Sequence, residues 1–108
     1  LELEKEAKNR EAYFADAPIA RTRQAAVDGT LAIMVGSEKE VFQKILPVLE
    51  YMGQDIMFCG KAGSGQLTKI LNNMILFETV VALGEAANIA ENYGMNVESL
   101  FNNITKNL

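Results

Sequence analysis

No histidine occurs in this chain of 108 residues. That removes the commonest general base and the commonest metal ligand, so any proton chemistry falls to lysine or to a carboxylate. The single cysteine, Cys59, excludes an intrachain disulfide, and its apolar, strand-like setting (IMFC) suits a buried, inert thiol in a reducing cytoplasm. Basic charge is scarce: 10 Lys and Arg against 14 Asp and Glu leave a net charge of −4. A nucleic-acid or anionic-membrane partner would call for a basic face, so neither is expected. The N-terminal stretch LELEKEAKNR has no apolar core of the kind a signal peptide needs. The most apolar run, MILFETVVALGEAANIA, is broken by Glu78 and Glu85. A bilayer-spanning helix wants ~20 mostly apolar residues without such charges, so a buried helix of a soluble protein is the expectation.

A hydrophobic content of 49% in so short a chain allows one modest domain at most. Residues 2 to 10 are charged and helix-favouring and read as an exposed helix. Residues 13 to 15 read as a short strand ended by Pro18, and ARTRQAAVDG as a loop closed by the turn at Gly29. LAIMVG (31–36) is short and continuous enough for a strand buried on both faces. Ser37 with Glu40 forms a capping-box pattern that opens a helix whose inward stripe is Val41, Ile45, Val48, Leu49 and Met52. Pro47 inside that stripe predicts a kink or two short helices, and Gly53 a C-cap. Residues 55–59 (DIMFC) are a third strand, so the chain reads as α/β to about residue 60.

The character then changes. From Ser64 to Tyr93 there is no proline, which predicts one helix ~45 Å long. Gly94 is its stop, Asn96 the next N-cap, and VESLFNNITKNL a further helix. Between Met74 and Ala90 apolar residues occupy nearly every angle around the long helix, so other protein must surround it. The rest of the chain supplies too little. Either this is a piece of a larger protein or partner chains complete the core, and assembly as a homo-oligomer through the long helix is the expectation.

Two polar constellations stand out. Lys69, Asn72 and Asn73 lie three and four residues apart, which puts them on one helical face. They follow Gly63 and Gly65, which would let a ligand approach the backbone closely. Near a helix N-terminus the partial positive charge disfavours an ammonium, so burial there would lower the lysine pKa and suit it to proton transfer. An ordinary solvated helix start explains the same residues. The second group is DAPIARTRQAAVDGT, where Arg21 and Arg23 flank Thr22; an arginine fork binds carboxylate, phosphate or sulfonate, and plain surface charge is the alternative. Glu78, Glu85 and Glu91 suit pairing with neighbours outside the chain better than acid–base work.

Together the two stretches carry a resemblance. DAPIARTRQAAVDGTLAIMVG (16–36) resembles the substrate-loop motif of the β-hydroxyacid dehydrogenases, D-A-P-V-S-G-G followed by G-T-L and M-V-G-G. GSGQLTKILNN (63–73) is similar to their catalytic motif, G-x-G-x-x-x-K-x-x-N-N, in full. The resemblance runs from about residue 7 to the end. It implies NAD- or NADP-dependent interconversion of a small anionic 3-hydroxyacid and its semialdehyde. It also implies a Rossmann-type domain leading through a long central helix into an all-α domain, with residues 1–60 the last part of the first and 61–108 the start of the second. Lys69 would be the general acid/base, Asn73 would orient lysine and substrate, Asn72 would lie beside them, and Gly65 would give close backbone approach. Ala20, Arg21 and Thr22 replace the family's Ser-Gly-Gly, which cradles the substrate carboxylate. A similar Gly-Arg-Thr variant occurs in sulfolactaldehyde reductase-like members, so the change points to a different or additional anionic group on the substrate. The family's Gly-rich phosphate loop is absent, and GKAGSG (60–65) matches it only superficially. The chain by itself is therefore expected to be inactive; a non-catalytic helical interaction module is the competing reading.

Overall fold

The computed structural model describes residues 1–106. In chain order the elements are α1 (Glu2–Asn9), β1 (Ile19–Ala20), α2 (Arg23–Asp28), β2 (Leu31–Gly36), α3 (Lys39–Leu49), β3 (Gly53–Gly60), α4 (Ser64–Tyr93) and α5 (Val97–Thr105). They divide into two compact units, Leu1–Asn72 and Asn73–Leu108, with the boundary falling inside α4.

The first unit is built on a three-stranded sheet ordered β1-β2-β3. β2 pairs antiparallel with β1 and parallel with β3, and α3 makes the crossover that a parallel pair requires. All six residues of β2 are buried, as its unbroken apolar run predicts. Ile33 and Val35 have no exposed surface and form a core with Leu31, Ala25 of α2 and Leu49 of α3. Phe42, Ile45 and Ile56 pack against it.

Several local expectations are corrected. The first strand lies later than residues 13–15. Asp16 and Gly36 exchange backbone hydrogen bonds at 3.0 and 2.8 Å, and the ladder continues through the Pro18 carbonyl, which accepts from the Met34 N–H at 3.0 Å. Pro18 lies just before β1 and has no N–H to return to Met34, so this pair keeps one bond where Asp16 and Gly36 share two. The expected loop at 20–29 contains α2. The Thr22 hydroxyl accepts from the Ala25 N–H at 3.2 Å at its start, and Gly29 closes it with a left-handed φ of 70°. Ser37 does not cap α3. Its N–H still belongs to the sheet, bonding the Gly60 carbonyl at 2.9 Å, and its hydroxyl donates to the Glu38 carbonyl, so Glu38 takes the cap position without a side-chain bond. α3 is one helix through Pro47, which is exposed near its C-terminal end and removes a single bond there. Val48 and Met52 face outward rather than into the core. Gly53 opens β3, where a Cβ would stand 2.7 Å from the Leu31 carbonyl oxygen. Cys59 is half-buried, not buried.

The second unit is helical. α4 spans 30 residues, Gly94 ends it with φ 91°, and the Asn96 side chain accepts from the Ser99 N–H at 2.8 Å to start α5. The end of the predicted last helix, residues 107–108, lies outside the described residues. Ala90 is buried, but the apolar residues before it are largely bare: Ile75 is 62% exposed and Phe77 63%. By length and composition alone α4 could cross a membrane, with Glu78 and Glu85 inside the run.

Candidate active site around the start of the long helix

The site begins at Asp16. Its side chain is buried at 8% exposure and reaches the first turn of α4, where Oδ1 accepts from the Gly63 N–H at 2.5 Å and Oδ2 from the Gln66 N–H at 2.7 Å. The first N–H groups of a helix have no partner within it, and the helix end carries partial positive charge, so a carboxylate satisfies both needs at once. The two glycines beside it are required by close approach. A Cβ at Gly36 would stand 2.5 Å from Asp16 Oδ1 and 2.8 Å from the Gly65 nitrogen. A Cβ at Gly65 would stand 2.8 Å from Asp16 Oδ2 and 3.0 Å from the Gly36 nitrogen, and nearer still to the Met34 carbonyl oxygen. Gly65, read from sequence as room for a ligand, is buried against the chain itself.

This carboxylate also tests the Gly-rich turn. β3 ends at Gly60 and α4 starts at Ser64, so GKAGSG does stand between a strand and a helix. The position that a dinucleotide pyrophosphate takes in such turns, on the first helical N–H groups, is filled here by Asp16. The turn does not fit a dinucleotide.

One turn beyond Gly65, Lys69 is half-buried and has no hydrogen bond or ion pair with any described residue. Asn72 follows, exposed, and α4 continues into Asn73, half-buried. Neither amide has a partner among the described residues. Helical spacing stacks both over the lysine's face. A cavity of about 560 Å3 runs along α1 and the first turns of α4, lined by Leu1, Leu3, Phe14, Leu67 and Ile70 among others. Its apolar wall does not include Lys69.

The substrate-loop residues are differently engaged. Arg21 holds a left-handed φ of 87°, a conformation suited to glycine. Its guanidinium donates to the Thr30 carbonyl at 2.9 Å and pairs with the Asp55 carboxylate on β3. The Thr22 hydroxyl is committed to capping α2. Ala20 is half-buried at the end of β1. Asp16 was quoted in the sequence motif without a role. The signal for one was present: an aspartate at the head of the first motif, and a helix start in the second without a capping side chain of its own.

Residues 1–60 match the model of the NAD binding domain of 6-phosphogluconate dehydrogenase. The chain belongs to this family of dinucleotide-binding domains, as found in the β-hydroxyacid dehydrogenases. It is 41% identical to an uncharacterised oxidoreductase of Bacillus subtilis over 93% of this chain and 35% of that protein. It is 37% identical to the mitochondrial 3-hydroxyisobutyrate dehydrogenase of Mus musculus over 92% of this chain and 30% of the other. Among solved structures, a 3-hydroxyisobutyrate dehydrogenase of Mycobacterium tuberculosis with L-serine superposes with a TM-score of 0.91 at 38% identity, covering 97% of this chain and 36% of that one. The chain thus spans about a third of the length of the curated relatives it matches. The fold is the Rossmann-like α/β part of these enzymes followed by the long helix and the start of the helical part. The family's cofactor is a nicotinamide dinucleotide, NAD or NADP.

Proposed function

We propose that these residues form the substrate-handling segment of a longer NAD(P)-dependent oxidoreductase that interconverts a small anionic 3-hydroxyacid and its semialdehyde. Residues 1–60 are the end of its dinucleotide domain and 61–108 the beginning of its all-helical domain. Lys69 is the general acid/base: its amine takes the proton that the substrate hydroxyl loses on oxidation and returns it to the carbonyl oxygen in reduction. Asn73 orients the lysine and the substrate oxygen, Asn72 lies beside them against the substrate, and the loop at Ala20, Arg21 and Thr22 receives the substrate's anionic end. The observation that carries this reading is the half-buried Lys69 side chain, without a partner among the described residues, on the face shared with two unpartnered amides, one turn past a helix start pinned by Asp16. Arg21 and Thr22, by contrast, already have protein partners. Of the two motifs, the lysine helix is therefore the better supported.

The test is Lys69→Ala in a protein of the relatives' full length that carries this segment. Losing a group that moves a proton costs about 10²–10⁴-fold in rate, so kcat should fall by that factor with substrate binding much less affected. Near-normal turnover refutes the role. The 108-residue chain alone should show no dinucleotide-dependent oxidation, because its Gly-rich turn is filled by Asp16.

A second reading is favoured by one observation, the bare apolar surface of α4: the chain is a non-catalytic helical module that assembles through that helix. The two are compatible, since in the full-length protein the same surface would be covered by the remaining helices or by a second copy. Light scattering on the isolated chain decides, a clean monomer at high concentration counting against assembly. A cytoplasmic location accords with the lone reduced thiol.

A further inference from the structure

We propose that Asp16 is a positioning residue for Lys69, the tie that joins the substrate loop to the lysine helix. The inference rests on the general acid/base reading of Lys69 and adds a residue that reading leaves out. Three observations carry it. First, both carboxylate oxygens are used, on N–H groups 47 and 50 residues further along the chain, so the contact sets the place of the helix start and not local turn geometry. Second, the Asp16 backbone cannot drift, because it exchanges two hydrogen bonds with Gly36 at the end of the fully buried β2. Third, the space is closed by Gly36 and Gly65, each within 3.0 Å of the next at the position a Cβ would take. A longer carboxylate has nowhere to go.

Gln66, which Asp16 holds, is three residues before Lys69, one helical turn. Four residues after Asp16 the chain reaches Ala20, Arg21 and Thr22. A single carboxylate therefore sets the distance between the substrate loop and the amine. A shift of about 1 Å in a reacting group can cost of the order of 10²-fold in rate, so a loosened helix start should lower turnover without removing any group that touches substrate.

Two experiments test this. In the 108-residue chain, amide hydrogen exchange at Gly63 and Gln66 should accelerate about tenfold or more in Asp16→Ala relative to the β2 amides of Ile33 and Val35. Asp16→Asn, which keeps one acceptor oxygen, should fall between the two. Unchanged protection at Gly63 and Gln66 overturns the inference. In a full-length protein carrying the segment, Asp16→Asn should lower kcat about 10- to 100-fold and leave KM for the hydroxyacid within about twofold. Asp16→Glu should not restore it. Added to Lys69→Ala, Asp16→Asn should cost nothing further, because it acts through an amine already gone. An equal loss in both backgrounds makes Asp16 a general stability residue and overturns the positional role. Full turnover in Lys69→Ala alone refutes the reading of Lys69 itself, a result separate from the exchange experiment, which decides whether Asp16 holds the helix.

Discussion

Substituting Gly65 with alanine asks whether that glycine makes room for a ligand or for the protein itself. If a ligand alone needed the space, alanine would be harmless in the ligand-free chain, and in the first turn of a helix no worse a helix former than glycine. The structure says otherwise: the added Cβ would lie 2.8 Å from Asp16 Oδ2 and 3.0 Å from the Gly36 nitrogen, and closer still to the Met34 carbonyl oxygen. Two of these three atoms are backbone of the central strand and cannot yield without moving the sheet. Overpacking of this kind costs typically about 1–3 kcal/mol, and displacing the Asp16 carboxylate from two N–H groups adds ~1 kcal/mol on the scale of a lost N-cap. The expected loss is roughly 2–4 kcal/mol, with Tm lower by at least ~8 °C at ~4 °C per kcal/mol for a domain of about this size. Gly84→Ala is the control. Nothing lies within 4 Å of its Cβ position and it is interior to α4, so alanine should stabilise that helix by roughly 0.5–1 kcal/mol. Thermal unfolding, with amide exchange at Ile33 and Val35 reporting on the sheet, measures both. A Gly65→Ala chain as stable as the parent, without ligand, would refute the packing argument and restore the ligand reading of this glycine.

Arg21→Gly removes the ion pair to Asp55 but relieves a left-handed residue, and both partners are largely exposed, so the net change in unfolding free energy should stay within about 1 kcal/mol. In a full-length protein the same change should raise KM for an anionic substrate far more than it alters kcat; an unchanged KM removes Arg21 from the substrate loop's work. Lys8 lies 3.1 Å from Glu38, whose hydrogen bond and charge, with a smaller contribution from Glu4, raise its pKa above the ordinary 10.5. Because the folded value is the higher one, the stabilisation is complete below the ordinary lysine pKa and disappears as pH rises through the raised value. NMR titration of Lys8 should show the elevation and its collapse in Glu38→Gln; an unaltered titration midpoint in that variant would assign the shift elsewhere.

The features legible in the sequence are those fixed by local pattern. An unbroken run such as LAIMVG has no polar face to show to water, so β2 had to be central. A stretch of 30 residues without proline, closed by Gly94 and followed by Asn96, leaves few alternatives to α4 and the start of α5. Lys69, Asn72 and Asn73 share a face because the period of a helix makes them do so. What sequence misjudged depended on partners far along the chain. Ser37 has the pattern of a cap, yet the pairing of its N–H with Gly60 keeps it in the sheet. Arg21 has the chemistry of an anion binder, yet Asp55 on β3, two strands from β1, takes its guanidinium. Gly65 could have been open to a ligand, and only the approach of β2 closed it. Asp16 is the clearest case: local sequence marks it as one more turn aspartate, and its role as the cap of α4 exists only because the sheet brings residue 16 against residues 63 and 66. Helical and strand periods are short-range properties that a sequence carries in itself, whereas the occupant of an unsatisfied N–H or guanidinium is chosen by whatever the fold delivers to it.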